Sequence, residues 1–289
     1  MTESPRTTPQ PAPERQLFDP ALGVPRGAAG RLVGRRILVV GAGQRRTVDA
    51  APPLGNGRAM ALLFAREGAA VACADLNLES ARDTAALIVQ EGGVAVALVA
   101  DVAQPAQIAQ MVVEARSALG GLDGLVVNVG IGNRNRFGEE TPATWDEVQN
   151  VNLRAHMFCA QEAAAVMAPG ASIVFISSTA SISPLSGLPA YETSKAGLAA
   201  LARAVAFAGQ AQGLRANVVA PGLIDTPLGR DASRSRPARA ARPLPFGRQG
   251  TAWEVAQAAL FLVSSESSYV NGQVLIVDGG LSIGAVRSA

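Results

Sequence analysis

The sequence predicts a doubly wound α/β fold, built on a parallel sheet of roughly seven strands in a single domain. Three observations predict it. From Arg35 onward, short runs rich in Val, Ile and Ala alternate with longer amphipathic segments. The first of those runs ends in a glycine cluster, Gly41-Ala42-Gly43. The 289 residues are 48% hydrophobic, enough for one large core, and neither a composition shift nor an internal repeat divides them.

In chain order, the expected strands are Arg36–Val40, Ala70–Ala74, Ala95–Ala100, Gly124–Val127, Ser172–Ser177, Arg215–Val219 and Val274–Val277. Few polar residues interrupt them, as suits strands covered on both faces. Helical patterning predicts Gly57–Glu67, Leu78–Glu91, Pro105–Ala118, Thr144–Met167, Tyr191–Gln212 and Ala252–Ser264 between them. Such alternation implies right-handed crossovers and ligand sites at the carboxyl ends of the strands.

Composition excludes several classes. A net charge of +2 gives no electrostatic case for nucleic acid. Cys73 and Cys159 fall in a strand-like and a helix-like run and read as small buried hydrophobes, and His156, the one histidine, cannot build a His-based metal site. No metal is expected. No apolar run reaches the length of a membrane span. Residues 1–30 carry Pro5, Pro9, Pro11, Pro13 and polar side chains without an apolar stretch, so they read as a disordered arm rather than a secretory signal. The expected location is the cytoplasm.

Gly41, Gly43 and Gln44 follow the first strand, where a phosphate-binding turn needs glycines so that the backbone can approach a pyrophosphate at a helix N-terminus. Ten residues, 45–54, then intervene before Gly55-Asn56-Gly57-Arg58 opens the first helix, and Pro52 and Pro53 keep this insert from being helical throughout. Without it the turn reads Gly-x-x-x-Gly-x-Gly, with Gly57 the expected contact at the helix start. Asp75 ends the second strand, where a carboxylate can accept from both adenosine ribose hydroxyls and repel a 2′-phosphate. That favours NAD(H). Arg45, Arg46 and Arg58 compete with it, since guanidinium groups folded over the adenosine would hold the phosphate of NADP(H). Asp101-Val102 is placed to meet the adenine amino group, and Asn128-Val129-Gly130 forms a small turn beneath the cofactor, although either could be ordinary turn chemistry.

Chemistry concentrates farther along. Ser178 ends an apolar strand at the ligand edge of the sheet, and Tyr191 and Lys195 stand four residues apart on a helix, stacked on one face. A nearby cation favours phenolate, which lets the phenol exchange a proton with a carbonyl or alcohol oxygen. Lys195 is the only lysine, against 24 arginines. A compact ammonium suits this position better than a guanidinium fork.

Together, Gly41…Gly55-Asn56-Gly57, Asp75, Asp101, Asn128-Val129-Gly130, Asn152, Ser178, Tyr191-x-x-x-Lys195 and Pro221-Gly222 resemble the motif series of the short-chain dehydrogenase/reductase family, over about Arg35 to Ser282. The resemblance implies a Rossmann fold and a tetrad of Asn152, Ser178, Tyr191 and Lys195. In it Tyr191 exchanges the proton and Ser178 holds the substrate oxygen. Lys195 binds the nicotinamide ribose and lowers the Tyr191 pKa, and Asn152 holds a relay water. It also implies cofactor contacts from Leu76, Pro221, Gly222, Ile224 and Thr226, and a homotetramer. Val40 departs from the family's usual threonine, so one hydrogen bond bracing the turn is missing.

The expected activity is hydride transfer between NAD(H) and a small-molecule secondary alcohol or ketone. The alternatives are an NADP(H)-dependent ketoreductase of an acidic or acyl substrate, and a non-catalytic dinucleotide sensor. Enoyl reduction fits less well, because such reductases usually space Tyr and Lys more widely. Residues 222–250 read as a substrate lid with Arg230, Arg234, Arg236, Arg239, Arg242 and Arg248, suited to an acidic substrate or else a solvated loop. The loop from Gly132 to Phe137 is a second expected pocket wall, and Phe246 and Trp253 belong to either core or pocket.

Overall fold

A computed structural model describes residues 30–49, 51–183, 186–236, 239 and 241–284. The proline-rich arm, residues 1–29, lies outside them. Seven parallel strands form the main sheet: β1 (Arg36–Val40), β2 (Ala70–Asp75), β3 (Val94–Val99), β4 (Gly124–Val127), β5 (Ser172–Ile176), β6 (Arg215–Pro221) and β9 (Val274–Val277). Their order is β3-β2-β1-β4-β5-β6-β9. The chain therefore winds outward from β1 in one direction, returns to β4, and winds the other way. This reversal makes the gap between β1 and β4 the topological switch point.

Strand periodicity divides the core in two. Ile37 and Val39 of β1 point into one layer, under α1 (Asn56–Arg66), α2 (Leu78–Gln90) and α8 (Ala252–Val263). Leu38 and Val40 point into the other, under α3 (Pro105–Leu119), α5 (Ala155–Ala164) and α6 (Pro189–Ala208). All four side chains are at most 1% exposed, which is why the strand reads as a continuous apolar run without alternation. Cys73 and Cys159 are buried free thiols in this packing.

The expected helix over Thr144–Met167 is interrupted. α4 (Pro142–Gln149) starts with a capping box between Thr141 and Thr144 and runs into a π-turn, Asn150–Arg154, before α5 continues. One extra residue per turn there carries Asn152 inward, an irregularity frequent at functional sites. Residues 222–250, read from sequence as a substrate lid or else a solvated loop, contain a short helix, α7 (Pro227–Ser235), capped by Thr226. Ahead of it, β7 (Ile224–Asp225) pairs with β8 (Gly250–Thr251) and ties the two ends of the lid together.

Candidate active site

Gly41 leaves β1 at φ +80°, in the left-handed region glycine tolerates, and its N–H and that of Ala42 both donate to Ala74 O, at 2.8 and 2.9 Å. Gly57, in the first turn of α1, then passes so close that a Cβ there would lie 1.8 Å from Gly41 O. At Gly55 the nearest atom would be 3.8 Å away, so Gly57 is the close-approach glycine and Gly55 a loop residue. The threonine brace that Val40 cannot supply is replaced from elsewhere. Asn128 Nδ2 donates to Gly41 O at 3.0 Å, Thr84 Oγ1 donates to Ala42 O at 3.0 Å, and Gln44 N–H donates to Ser80 Oγ at 2.6 Å. Nothing in the sequence marked Ser80 and Thr84 for this work beyond their place on α2.

The cradle fits a pyrophosphate. Gly55, at the N-cap of α1, brings no side chain to the first turn, so its amide donors are open to an anion. Asn56 Oδ1 is buried without a partner among the described residues, and a half-turn of the amide would present its NH2 group instead.

Asp75 lies beside this turn and accepts from Gly43 N–H at 2.9 Å and from Asn77 N–H at 3.0 Å. Leu76 follows with its side chain 70% exposed, as a residue covering a planar ring would be. Asp101 accepts from Ala103 N–H at 2.9 Å, so part of its carboxylate serves turn geometry, while Val102 is buried. The arginines that could have held a 2′-phosphate are otherwise engaged. Arg46 faces Glu79 at 3.4 Å, Arg45 faces Asp231 at 3.6 Å, and Arg58 donates to Thr84 Oγ1 at 2.9 Å.

The tetrad assembles at the ends of β4 and β5. Lys195 Nζ is buried and donates to Ile176 O at 2.9 Å and Val129 O at 3.3 Å. A Cβ on Gly130 would come within 3.0 Å of that nitrogen, so glycine at this position leaves room for the ammonium. Asn152 pairs with the backbone of Ile131 through both amide atoms, each at 2.8 Å, and donates to Ser194 Oγ at 3.0 Å. Ile131 and Ser194 carried no signal in the sequence. The Tyr191 hydroxyl lies near the Ser178 side chain, which acts to lower the phenol's pKa.

Burial raises the Tyr191 phenol above its usual pKa, against the neighbouring Ser178 side chain and the positive charges of Arg239 and Arg236. The cations facing the phenol thus come from the lid. Lys195, expected to lower the Tyr191 pKa, instead turns its ammonium to the two carbonyls, and burial pushes its pKa down to about 7. His156 is fully buried with its ring centroid 5.9 Å from that of Phe175, a core position.

On the far side, Pro221 ends β6 and Gly222 N–H donates to Val277 O at 2.9 Å. Ile224 is buried, and Thr226 Oγ1 accepts from Gly229 N–H at 3.0 Å as the α7 cap, which leaves its own hydrogen free to donate. Phe246 lines a cavity of about 330 Å³ with Leu244, Pro245 and Ile276. Trp253 packs on the core with Arg66 5.0 Å over its ring. Residues 45–49, whose role the sequence left open, reach the lid: Asp49 takes ion pairs from Arg230, at 3.3 Å, and from Arg234.

Comparison with known proteins agrees with this geometry. A family model described as enoyl-(acyl carrier protein) reductase matches residues 50–282. The chain is 35% identical to the 3-oxoacyl-[acyl-carrier-protein] reductase of Thermotoga maritima, covering 88% of this chain and 100% of the relative. It is 36% identical to the cyclohexanol dehydrogenase of an Acinetobacter strain, covering 78% and 90%. A solved short-chain dehydrogenase/reductase from Serratia marcescens superposes with a TM-score of 0.76 at 29% identity, covering 87% of this chain and 99% of that one. With the matched span including Asn152, Ser178, Tyr191 and Lys195, the chain belongs to the short-chain dehydrogenase/reductase family and is an NAD(P)-dependent oxidoreductase.

Proposed function

We propose that the protein interconverts a secondary alcohol and a ketone with NAD(H), using Tyr191 as the general acid/base. The observation that carries this reading is the placement of Ser178, Tyr191 and Lys195. A serine hydroxyl lies near the phenol, and the chain's sole lysine is buried one helical turn away. When bound, the nicotinamide ring supplies or accepts the hydride. In reduction, Tyr191 Oη gives its proton to the carbonyl oxygen while Ser178 Oγ holds that oxygen; in oxidation Tyr191 takes the proton back. Lys195 would bind the ribose by exchanging its carbonyl partners for hydroxyl groups. The side chain of Asn152 is fully engaged with Ile131 and Ser194, so a relay water would sit on its main-chain carbonyl within the π-turn.

The preference for NAD(H) is supported by Asp75 beside Gly43 and by the engagement of Arg45, Arg46 and Arg58 away from a ribose phosphate. Gly41, Gly43, Gln44, Asn56 and Gly57 would hold the pyrophosphate. Leu76, Asp101 and Val102 would border the adenine, and Asn128, Val129, Gly130, Pro221, Gly222, Ile224 and Thr226 the nicotinamide half. The Tyr191–Lys195 spacing favours a carbonyl over an enoyl substrate.

A cytoplasmic homotetramer is part of the proposal. Among the described residues no helix is long and apolar enough to cross a membrane. Phe207 on α6 is 75% exposed and Ile276 on the edge strand β9 is 41% exposed, apolar surface that subunit packing would cover.

The test is Tyr191→Phe. Turnover should fall by about 100- to 10,000-fold, while NADH still binds in a fluorescence titration. Parental turnover in the variant would sink the assignment.

A further inference from the structure

We propose that Arg236 and Arg239 form a binding site for an anionic group, a carboxylate in the first instance, on the alcohol or ketone that meets Tyr191. This rests on the hydride-transfer reading above and names the class of substrate for it.

The six lid arginines are not equivalent. Arg230 forks onto Asp225 at 2.7 and 2.8 Å and also reaches Asp49. Arg234 pairs with Asp231 at 2.9 Å and with Asp49. Arg248 pairs with Glu254 at 2.7 Å. These three are neutralised in place and hold the lid together. Arg236, Arg239 and Arg242 have no carboxylate within ion-pair distance among the described residues. Arg236 Nε makes a long hydrogen bond to Ala232 O at 3.4 Å, and Arg239 Nε is buried with no acceptor among the described residues.

A guanidinium with a buried, unanswered donor is unfavourable, and like charges beside it add to the cost. Arg236 and Arg242 both repel Arg239, and burial also disfavours its charge. The ionisable group near Arg239 and Arg236 is the Tyr191 phenol, which burial keeps protonated and neutral, so it leaves their charge unanswered. Arginine donors in a fixed fork match a carboxylate in two-point geometry. The cofactor does not need them. Its pyrophosphate would have the open N-terminus of α1, which follows β1, two strands from the β5 that Ser178 follows. What remains is the substrate. Its oxygen is held by Ser178 and Tyr191, and a negative group elsewhere on it answers Arg236 and Arg239 without taking part in bond making.

The experiment uses the full chain, NADH, and the oxo acids from pyruvate to 5-oxohexanoate, each beside its methyl ester. At least one acid should exceed its ester in kcat/KM by tenfold or more. Arg239→Gln and Arg236→Gln should each cut that acid-to-ester ratio at least tenfold, chiefly through KM, and Arg239→Lys should restore part of it. Ratios near one in the parent, or a ratio that the substitutions leave in place, overturn the proposal. A second arm is independent of chemistry: calorimetric titration of the same acids into NAD⁺-loaded Tyr191→Phe protein. If the parent reduces no ketone, hydride transfer to ketones fails, and the titration still decides. Acid binding lost in Arg239→Gln upholds the anion site, and absence of acid binding overturns it.

Discussion

Lys195 carries an unusual liability, because its ammonium is buried with only two carbonyl oxygens to hold it, and its pKa falls to about 7 from an ordinary 10.5. The unfolded chain therefore binds more protons than the folded one between about pH 7 and 10. Stability should rise with pH across that window as the cost of burying the charge is relieved. Because this is the only lysine, selective ¹³Cε-lysine labelling gives one resonance to follow. In the cofactor-free protein it should titrate with a midpoint near 7. A midpoint above 10 would show the ammonium to be far better satisfied than its two carbonyls suggest. The glycines make a second test at this scale. Gly57→Ala places a methyl group 1.8 Å from Gly41 O and should abolish dinucleotide binding, while Gly55→Ala meets nothing nearer than 3.8 Å and should bind normally. Equal affinity in both variants would remove Gly57 from the cradle. The sequence could single out Gly57, Tyr191 and Lys195 because their signals are local, a turn before a helix and an i,i+4 pair. Ser80, Thr84, Ile131 and Ser194 escaped because each works only through a partner that the fold brings from 20 or more residues away.

The insert and the lid act as one unit at the level of elements. Asp49 bridges Arg230 and Arg234 on successive turns of α7, Arg45 reaches Asp231, and Arg230 also donates to Ala51 O at 3.4 Å. This strap lies between the glycine turn and the helix that leads to Arg236, so the proposed cofactor loop and the proposed substrate lid would share a tether. Asp49→Asn keeps the side chain's size and removes its charge. Limited proteolysis at the arginine-rich lid should then run about two- to fivefold faster, because partly exposed ion pairs contribute modestly. Cleavage at the parental rate would show that the strap does not hold the lid. Residues 45–54 stood out in the sequence between the glycine turn and the first helix, and Pro52 and Pro53 argued against a helix there. Their destination was not legible. A loop's landing point is set by partners 180 residues downstream, and the acid that mattered, Asp49, stood next to two more conspicuous arginines. The π-turn at Asn150–Arg154 was hidden for a similar reason. One extra residue in a long apolar helix leaves its periodicity nearly intact.

For the whole molecule, strand–helix alternation was enough to give the sheet its seven strands and its parallel sense, since each run of β residues had to be covered on two faces. The strand order itself came only with the structure, which puts the reversal of winding between β1 and β4, so that the turns after Val40, Asp75, Val127 and Ile176 all open on one edge. Cofactor choice is a property of this assembled edge rather than of any one residue. Asp75 alone argues for NAD(H), and three arginines within the same region argue against it until their partners are known. With Arg45 and Arg46 drawn to Asp231 and Glu79, and Arg58 to Thr84, an adenosine ribose held as proposed beside Asp75 would face a carboxylate. A 2′-phosphate placed there would meet a like charge and would have to break those pairs to find a cation. Ligand that binds only the folded state at a hundred times its Kd adds about 2.7 kcal/mol of stability, which for a domain of this size is a rise in Tm of roughly 5–10 °C. Thermal unfolding with equal concentrations of NADH and NADPH should therefore show the larger rise with NADH. Asp75→Ala should narrow the difference by admitting the phosphate. A larger rise with NADPH in the parent would mean that the inserted arginines leave their partners on binding and that the adenosine end selects the phosphorylated cofactor.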